Sequence, residues 1–202
     1  MTAAATRVDV MLPLRGRTLA RDHRLLLSDA MRTTLPWLAD DALAAVHAVR
    51  LVPGSGESAL LSARARLVLR VARERVADLQ ALAGRTLRVG ADDLALGAPQ
   101  VRELLPHTTL YAHFVDAGSA DEAAFLEQVG AELGRLDVTC HRVCGRAQRV
   151  RGAAGLLHGF SLLLHGLGAA ASLRVLEQGL GAHRLMGCGV FVPHKSAAAV
   201  GD

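Results

Sequence analysis

Between Val8 and Val89 the apolar residues switch spacing from every second position to every third or fourth and back, and this order limits the chain to few folds. Val8, Val10, Leu12 and Leu14 alternate with other residues until Gly16, which predicts a first strand. A helix follows, with Asp22 as its cap, Leu25, Leu26, Ala30 and Met31 as its stripe and Pro36 at its end. Val46 to Val52 predicts a second strand. Ala63, Ala65, Leu67, Leu69 and Val71 then face one way and Arg64, Arg66 and Arg70 the other, a third strand with a basic side. Val76, Leu79 and Leu82 form a short helix ended by Gly84, and Thr86 to Val89 forms a fourth strand. The order is βαββαβ, the ferredoxin-like unit.

The same order recurs. Thr109 to Val115 predicts a strand, and Ser119-Ala120-Asp121-Glu122 is a capping box opening a helix with Phe125, Leu126, Val129, Leu133 and Leu136 on one face. Two strands fit between Thr139 and Leu167 as a hairpin, Ala169 to Gln178 makes a second helix, and Cys188 to Val192 closes the pattern. The expected class is α+β, two tandem ferredoxin-like domains with antiparallel sheets, over residues 1–105 and 106–202. With 202 residues and 51% apolar content the chain can bury a core, which excludes a disordered protein.

Charge is unevenly spread. Residues 138–202 carry seven basic side chains against Glu177 and Asp202 alone, and no acid lies between Asp137 and Glu177. Within that gap His141, Arg142, Arg146, Arg149 and Arg151 form a cationic stretch on the expected hairpin, suited to a polyanion such as nucleic acid; a solvated polar turn is the plainer reading. All basic residues except Lys195 are arginines, which a GC-rich genome also explains. One Trp, one Tyr and four Phe are too few for a broad base-stacking platform, so recognition of a duplex or hairpin by shape is expected.

Cys140, Cys144 and Cys188 are odd in number and the N-terminus shows no signal-peptide apolar core, which reads as a cytoplasmic chain with reduced thiols. A second ligand pair is missing beside Cys140 and Cys144, so no metal is expected. The uncharged run from Gly152 to Leu173 is long enough to cross a bilayer, but Gly155, Gly159, Gly166 and Gly168 with His158 and His165 break it, and no membrane contact is expected. His47, His107, His113, His158 and His165 read as structural.

Gly179, Gly181, Gly187 and Gly189 take the first, third, ninth and eleventh places of an eleven-residue window, with Leu180 and Cys188 between the pairs and His183 and Arg184 inside. Such a loop can bring backbone N–H groups close to a phosphate, with Arg184 adding a charged contact. A helix cap running into a strand bulge is the alternative. The window fits neither the dinucleotide pattern nor a Gly-Lys-Ser/Thr ending, so no nucleotide cofactor is implied.

This glycine pattern resembles the ending of the CRISPR-associated Cas-six endoribonucleases. The blocks Gly16-Arg17-Thr18-Leu19-Ala20-Arg21-Asp22-His23, Leu35-Pro36-Trp37, Ala98-Pro99-Gln100-Val101-Arg102, Thr109-Leu110-Tyr111-Ala112 and Met186 to Pro193 resemble the MYXAN-type subfamily in the same order, over nearly the whole chain. The resemblance implies a cut in CRISPR repeat RNA without a metal or other cofactor, in which a 2′-hydroxyl attacks the adjacent phosphate. It maps the family's catalytic histidine onto His23, whose imidazole can exchange a proton near neutral pH at a helix start. Arg24, Ser28 and Tyr111 are candidates to assist it, Arg24 through a phosphate contact. The resemblance further implies a repeat stem-loop as partner, held by Arg142, Arg146, Arg149, Arg151 and the glycine loop, a monomer or weak dimer, and contact with other effector subunits. A related role, binding the RNA without cutting it, remains open at this point.

Overall fold

The computed structural model describes residues 5–195; residues 1–4 and 196–202, with Asp202 among them, lie outside the described residues. Two compact units emerge. Thr6–Glu103 with Leu185–Gly187 form one, and, among the described residues, Ala5, Leu104–Arg184 and Cys188 to Lys195 form the other.

In the first unit the elements are β1 (Arg7–Arg15), β2 (Thr18–Ala20), α1 (Arg24–Thr34), β3 (Ala45–Val46), β4 (Ser58–Leu60), β5 (Arg66–Ala72), α2 (Val76–Gln80), β6 (Thr86–Val89), β7 (Asp92–Leu96) and β8 (Gln100–Glu103). β1 is the spine. It pairs antiparallel with β5 on one side and, on the other, with β8 over Val8–Met11 and β7 over Leu14–Arg15. The order β3-β5-β1-β8 is that of a ferredoxin-like sheet. Val8, Val10, Leu12 and Leu14 are buried and share a core with Leu27 and Met31 of α1 and Leu79 of α2. Each such side chain contributes about 1.5–3 kcal/mol by leaving water.

Several sequence expectations shift here. Thr86–Val89 does not close the sheet: it folds back on β7, and β8 takes the closing place. All four β8 residues are exposed, so no apolar alternation marks the strand. The second strand stops at Val46, and no ladder partner follows before Ser58. His23, not Asp22, is the N-cap of α1, without a side-chain cap bond, and the inward residues are Leu27, Ser28 and Met31 while Leu26 is 39% exposed. The basic side of the third strand faces solvent at Arg64 and Arg66 but not at Arg70. Arg70 is 1% exposed and bonds Asp9 through Nε–H to Oδ1 at 2.8 Å and an Nη2–H to Oδ2 at 3.1 Å.

The second unit runs β9 (Thr109–Asp116), α3 (Glu122–Arg135), β10 (His141–Gly152), β11 (Gly155–His165), α4 (Ala169–Gln178) and β12 (Phe191–Pro193). Its sheet order β10-β11-β9-β12 is the ferredoxin-like one. Leu110, Ala112, Phe160, Leu162 and Leu164 point to one face and pack with Phe125, Val129 and Leu133 of α3 and Leu176 of α4. Asp121 caps α3, accepting from the N–H groups of Ala123 and Ala124, while Ser119 accepts from Asp121 N–H one step earlier than the capping-box reading placed it. The uncharged run from Gly152 becomes β11 and the start of α4, and among the described residues no helix is long and apolar enough to cross a membrane.

Candidate nucleic-acid interface and active site

His23 stands where β2 turns into α1. Its ring is 4% exposed, with Nδ1–H donating to the Ala20 carbonyl at 3.0 Å and Nε2 accepting the Val49 N–H at 3.0 Å. Those partners require the neutral ring with its proton on Nδ1, because a backbone N–H can donate only to a lone pair. Burial pushes its pKa down, the Ala20 carbonyl opposes that, and Arg24 adds to it. The ring is neither exposed nor presented with a free nitrogen. Ser28 is buried on the same helix. Arg24 donates to the carbonyls of Met186 at 3.2 Å and Gly187 at 3.1 Å, fixing the glycine loop's middle to the start of α1.

His47 is likewise held below the usual histidine range, by burial first and then by Arg70 and Arg102, against the pull of Asp9. Both imidazoles therefore bind protons less readily in the folded chain than in the unfolded one. Below about pH 6.5 the unfolded state takes up protons the folded state refuses, so stability is full above that pH and falls as acid is added. Thermal melting should be level from pH 8 to 7 and drop between pH 6.5 and 5.5; an unchanged Tm at pH 5.5 would contradict the buried neutral rings.

The glycine loop is built around itself. Arg184, 7% exposed, donates to the carbonyls of Gln178 at 2.6 Å and Glu177 at 3.0 Å, satisfying the C-terminus of α4 that the helix leaves open. A Cβ on Gly179 would meet the Arg184 guanidinium and the Gly189 carbonyl, and one on Gly187 would crowd the Ala48 N–H and Val46 carbonyl. Gly181 N–H is already bonded, at 2.6 Å, to a carboxylate oxygen of Glu132. His183 is exposed at φ 61°, with Nε2 3.4 Å from an Asp116 oxygen. The pattern found in the sequence thus has a packing cause for Gly179, Gly187 and Gly189, and the one loop N–H placed on an oxyanion holds the protein's own.

The basic stretch does form a hairpin. β11 pairs with β9 only from Gly159 onward, so the strands beyond it, joined by Ala153–Ala154, extend as a two-stranded arm. Arg149 pairs with His158 and Arg151 with Leu156, placing both arginines on one side of the arm, and both are exposed, as is Arg146. Arg142 is set apart: one Nη1–H bonds the Leu126 carbonyl, and its guanidinium lies against α3 where Gly130 leaves room. At the foot of the arm a cleft of about 310 Å³ is lined by Ala120, Ala147, Gln148, Arg149, His158 and Gly159. Among the described residues no three His, Cys, Asp or Glu side chains gather as a metal site, and burial pushes the Cys144 thiol up to about 11.

A family model described as Cas6 Crispr matches residues 8–196. The chain belongs to the Cas6 family. It is similar to the CRISPR-associated endonuclease Cas6 of Myxococcus xanthus (strain DK1622), with 39% identity over 194 residues, 96% of this chain and 84% of that relative. Among solved structures, a CRISPR associated protein Cas6 superposes with a TM-score of 0.67 at 12% identity, covering 94% of this chain and all of the other. Thermus thermophilus Cse3, bound to an RNA representing a pre-cleavage complex, superposes at 0.53 and 11% identity over 94% of this chain and all of its own. At these identities the likeness is one of fold, and it agrees with the two ferredoxin-like sheets. In this Cas6 chain Arg146, Arg149 and Arg151 of the arm are exposed, while Arg24, Arg142 and Arg184 each donate to backbone carbonyls.

Proposed function

We propose that this Cas6 chain is an endoribonuclease that cuts CRISPR repeat RNA into mature guide RNA in the cytoplasm. The observation that carries the reading is the 39% identity, over 96% of the chain, to a relative named as a Cas6 endonuclease. The proposed chemistry uses no metal. A 2′-hydroxyl loses its proton and attacks the adjacent phosphorus, the bond to the 5′-oxygen breaks, and that oxygen takes up a proton, leaving a 2′,3′-cyclic phosphate and a 5′-hydroxyl. His23 Nε2 is the proton acceptor, becoming available when the Val49 N–H is drawn away, and the Ala20 carbonyl keeps the ring in the tautomer that puts the lone pair there. Arg149, Arg151 and Arg146 hold the repeat stem-loop through its phosphates, with the glycine loop as a further contact.

Purified protein with its cognate repeat RNA in EDTA should give one discrete cut bearing a cyclic phosphate; a cut that needs Mg²⁺ would refute the chemistry. His23→Ala should slow cleavage about 100-fold or more while RNA affinity holds, the order expected of proton transfer. Cleavage within threefold of the parent would move the role elsewhere. For the arm, Arg149→Ala with Arg151→Ala should weaken stem-loop binding and flatten the plot of log affinity against log salt by about one to two units, as two lost phosphate contacts require. An unchanged slope would take the arm off the RNA.

A second reading, an RNA-binding subunit of an effector complex that does not cut, draws on one observation: both nitrogens of His23 are occupied. Tight binding of the repeat with no product, in EDTA or Mg²⁺, would select it. In either case the chain is proposed to act as a monomer or weak dimer.

A further inference from the structure

The sheet of the second unit has one face packed against α3 and α4 and another that bears Tyr111, His113, His141, His165 and His194. On that other face Thr109, His165 and His141 stand in register across β9, β11 and β10, and His194, just past β12, is placed beside them by its N–H bond to the Thr109 carbonyl. Tyr111 occupies the next row, beside Leu163 and Val143, and His113 lies beyond it on the same strand. The rings touch. His141 and His165 are stacked at 4.8 Å and 18°, Tyr111 meets His113 edge-on at 4.9 Å, and Tyr111 lies 5.6 Å from His194. His113, His141 and His194 are exposed, Tyr111 and His165 half-buried, and Val143 is 51% exposed.

From this arrangement we infer that the face is a binding site for single-stranded RNA, which stacks unpaired bases on Tyr111 and the histidine pair. The inference rests on the RNA-processing reading and adds a second, unpaired RNA segment to the stem-loop that reading assigns to the arm. Four features favour RNA over a protein partner. The rings supply flat polarizable faces that any base can stack on. No carboxylate stands on these rows, and Lys195 follows His194, so the charge suits phosphate. Four strands at about 4.8 Å spacing span about 14 Å, room for the two or three bases that a sheet of this kind stacks. The apolar ground between the rings, Leu163 and Val143, is a strip rather than the wide patch a protein contact needs.

Fluorescence anisotropy of a labelled ten-residue oligouridylate tests it, with the full chain and with the repeat hairpin trimmed of unpaired ends as a second probe. Tyr111→Ala, and separately His141→Ala with His165→Ala, should each weaken oligouridylate binding about tenfold, the worth of one lost stacked base, and leave the trimmed hairpin within twofold. His141 is exposed, so the second variant reports even where the first perturbs packing, and Tyr111→Phe should restore binding. Oligouridylate that does not bind the parent, or binds both variants as it binds the parent, overturns the inference. Failure of the parent to bind the hairpin is a separate result and overturns the RNA-processing reading instead.

Discussion

Asp9→Asn should cost the first unit about 3–5 kcal/mol, a large share of the stability an ordinary domain has, and lower its Tm by about ten degrees or more. Asp9 is 1% exposed at the middle of β1, with Arg70 also 1% exposed across the ladder, Arg102 Nη2 at 2.9 Å and His47 at 3.6 Å. Burial alone would raise its pKa; the neighbouring His47 and the Arg70 guanidinium overcome that and hold the carboxyl well below the usual range. Removing the charge takes from the buried Arg70 the carboxylate that accepts from both Nε and Nη2, and the amide can accept from only one side of the guanidinium fork. Because the folded pKa is depressed, the stabilisation is complete above about pH 4 and is lost as pH falls further. Replacing Asp9 with Leu and Arg70 with Met together should recover most of the loss, since a well-packed apolar pair removes both desolvation costs. A single Asn variant melting within two degrees of the parent would show that the pair is not what holds the sheet.

Gly189→Ala is the second large effect. Gly189 sits at φ 63°, its N–H donates to the Phe114 carbonyl at 2.7 Å, and its carbonyl accepts from Leu180 at 3.2 Å. A Cβ there would collide with the Leu180 carbonyl, which is backbone and cannot rotate away. Strain at positive φ and the forced parting of the two loop strands should cost at least about 2–3 kcal/mol. Gly134→Ala in α3 is the contrast: no atom lies within reach of its Cβ, and it should gain about 0.5–1 kcal/mol from helix propensity. Melting and RNA affinity measured together separate the two roles of the loop. If its glycines serve packing, both fall together; a loss of affinity at unchanged Tm would return the loop to phosphate binding.

The fold was legible where one face of an element is apolar. Val8 to Leu14, Leu67 to Val71 and the α3 stripe through Phe125, Val129 and Leu133 mark their elements because burial on one side imposes the period. β8 was hidden because Gln100, Val101, Arg102 and Glu103 all face solvent, and the buried Arg70 was misread because its partner lies 61 positions away in sequence. The glycine window announced itself by spacing, yet spacing alone does not tell a phosphate from the protein's own carbonyls and Glu132 as the neighbour that needs the room. In isolation His113 and His165 read as structural and His141 as part of the cationic stretch. Only register brings His141, His165 and His194 into one row beside Tyr111.

Leu185–Gly187 belongs with the first unit although 81 residues of the other unit precede it, Leu104 to Arg184. Leu185 packs on the core under α1, and Arg24 spends its donors on Met186 and Gly187. During synthesis the first hundred residues therefore emerge without three of their own packing partners, and at about 5–20 residues per second the wait lasts roughly ten seconds. A fragment ending at Glu103 should be less cooperative than its share of the whole, and the first unit's completion waits on the synthesis of Leu185–Gly187.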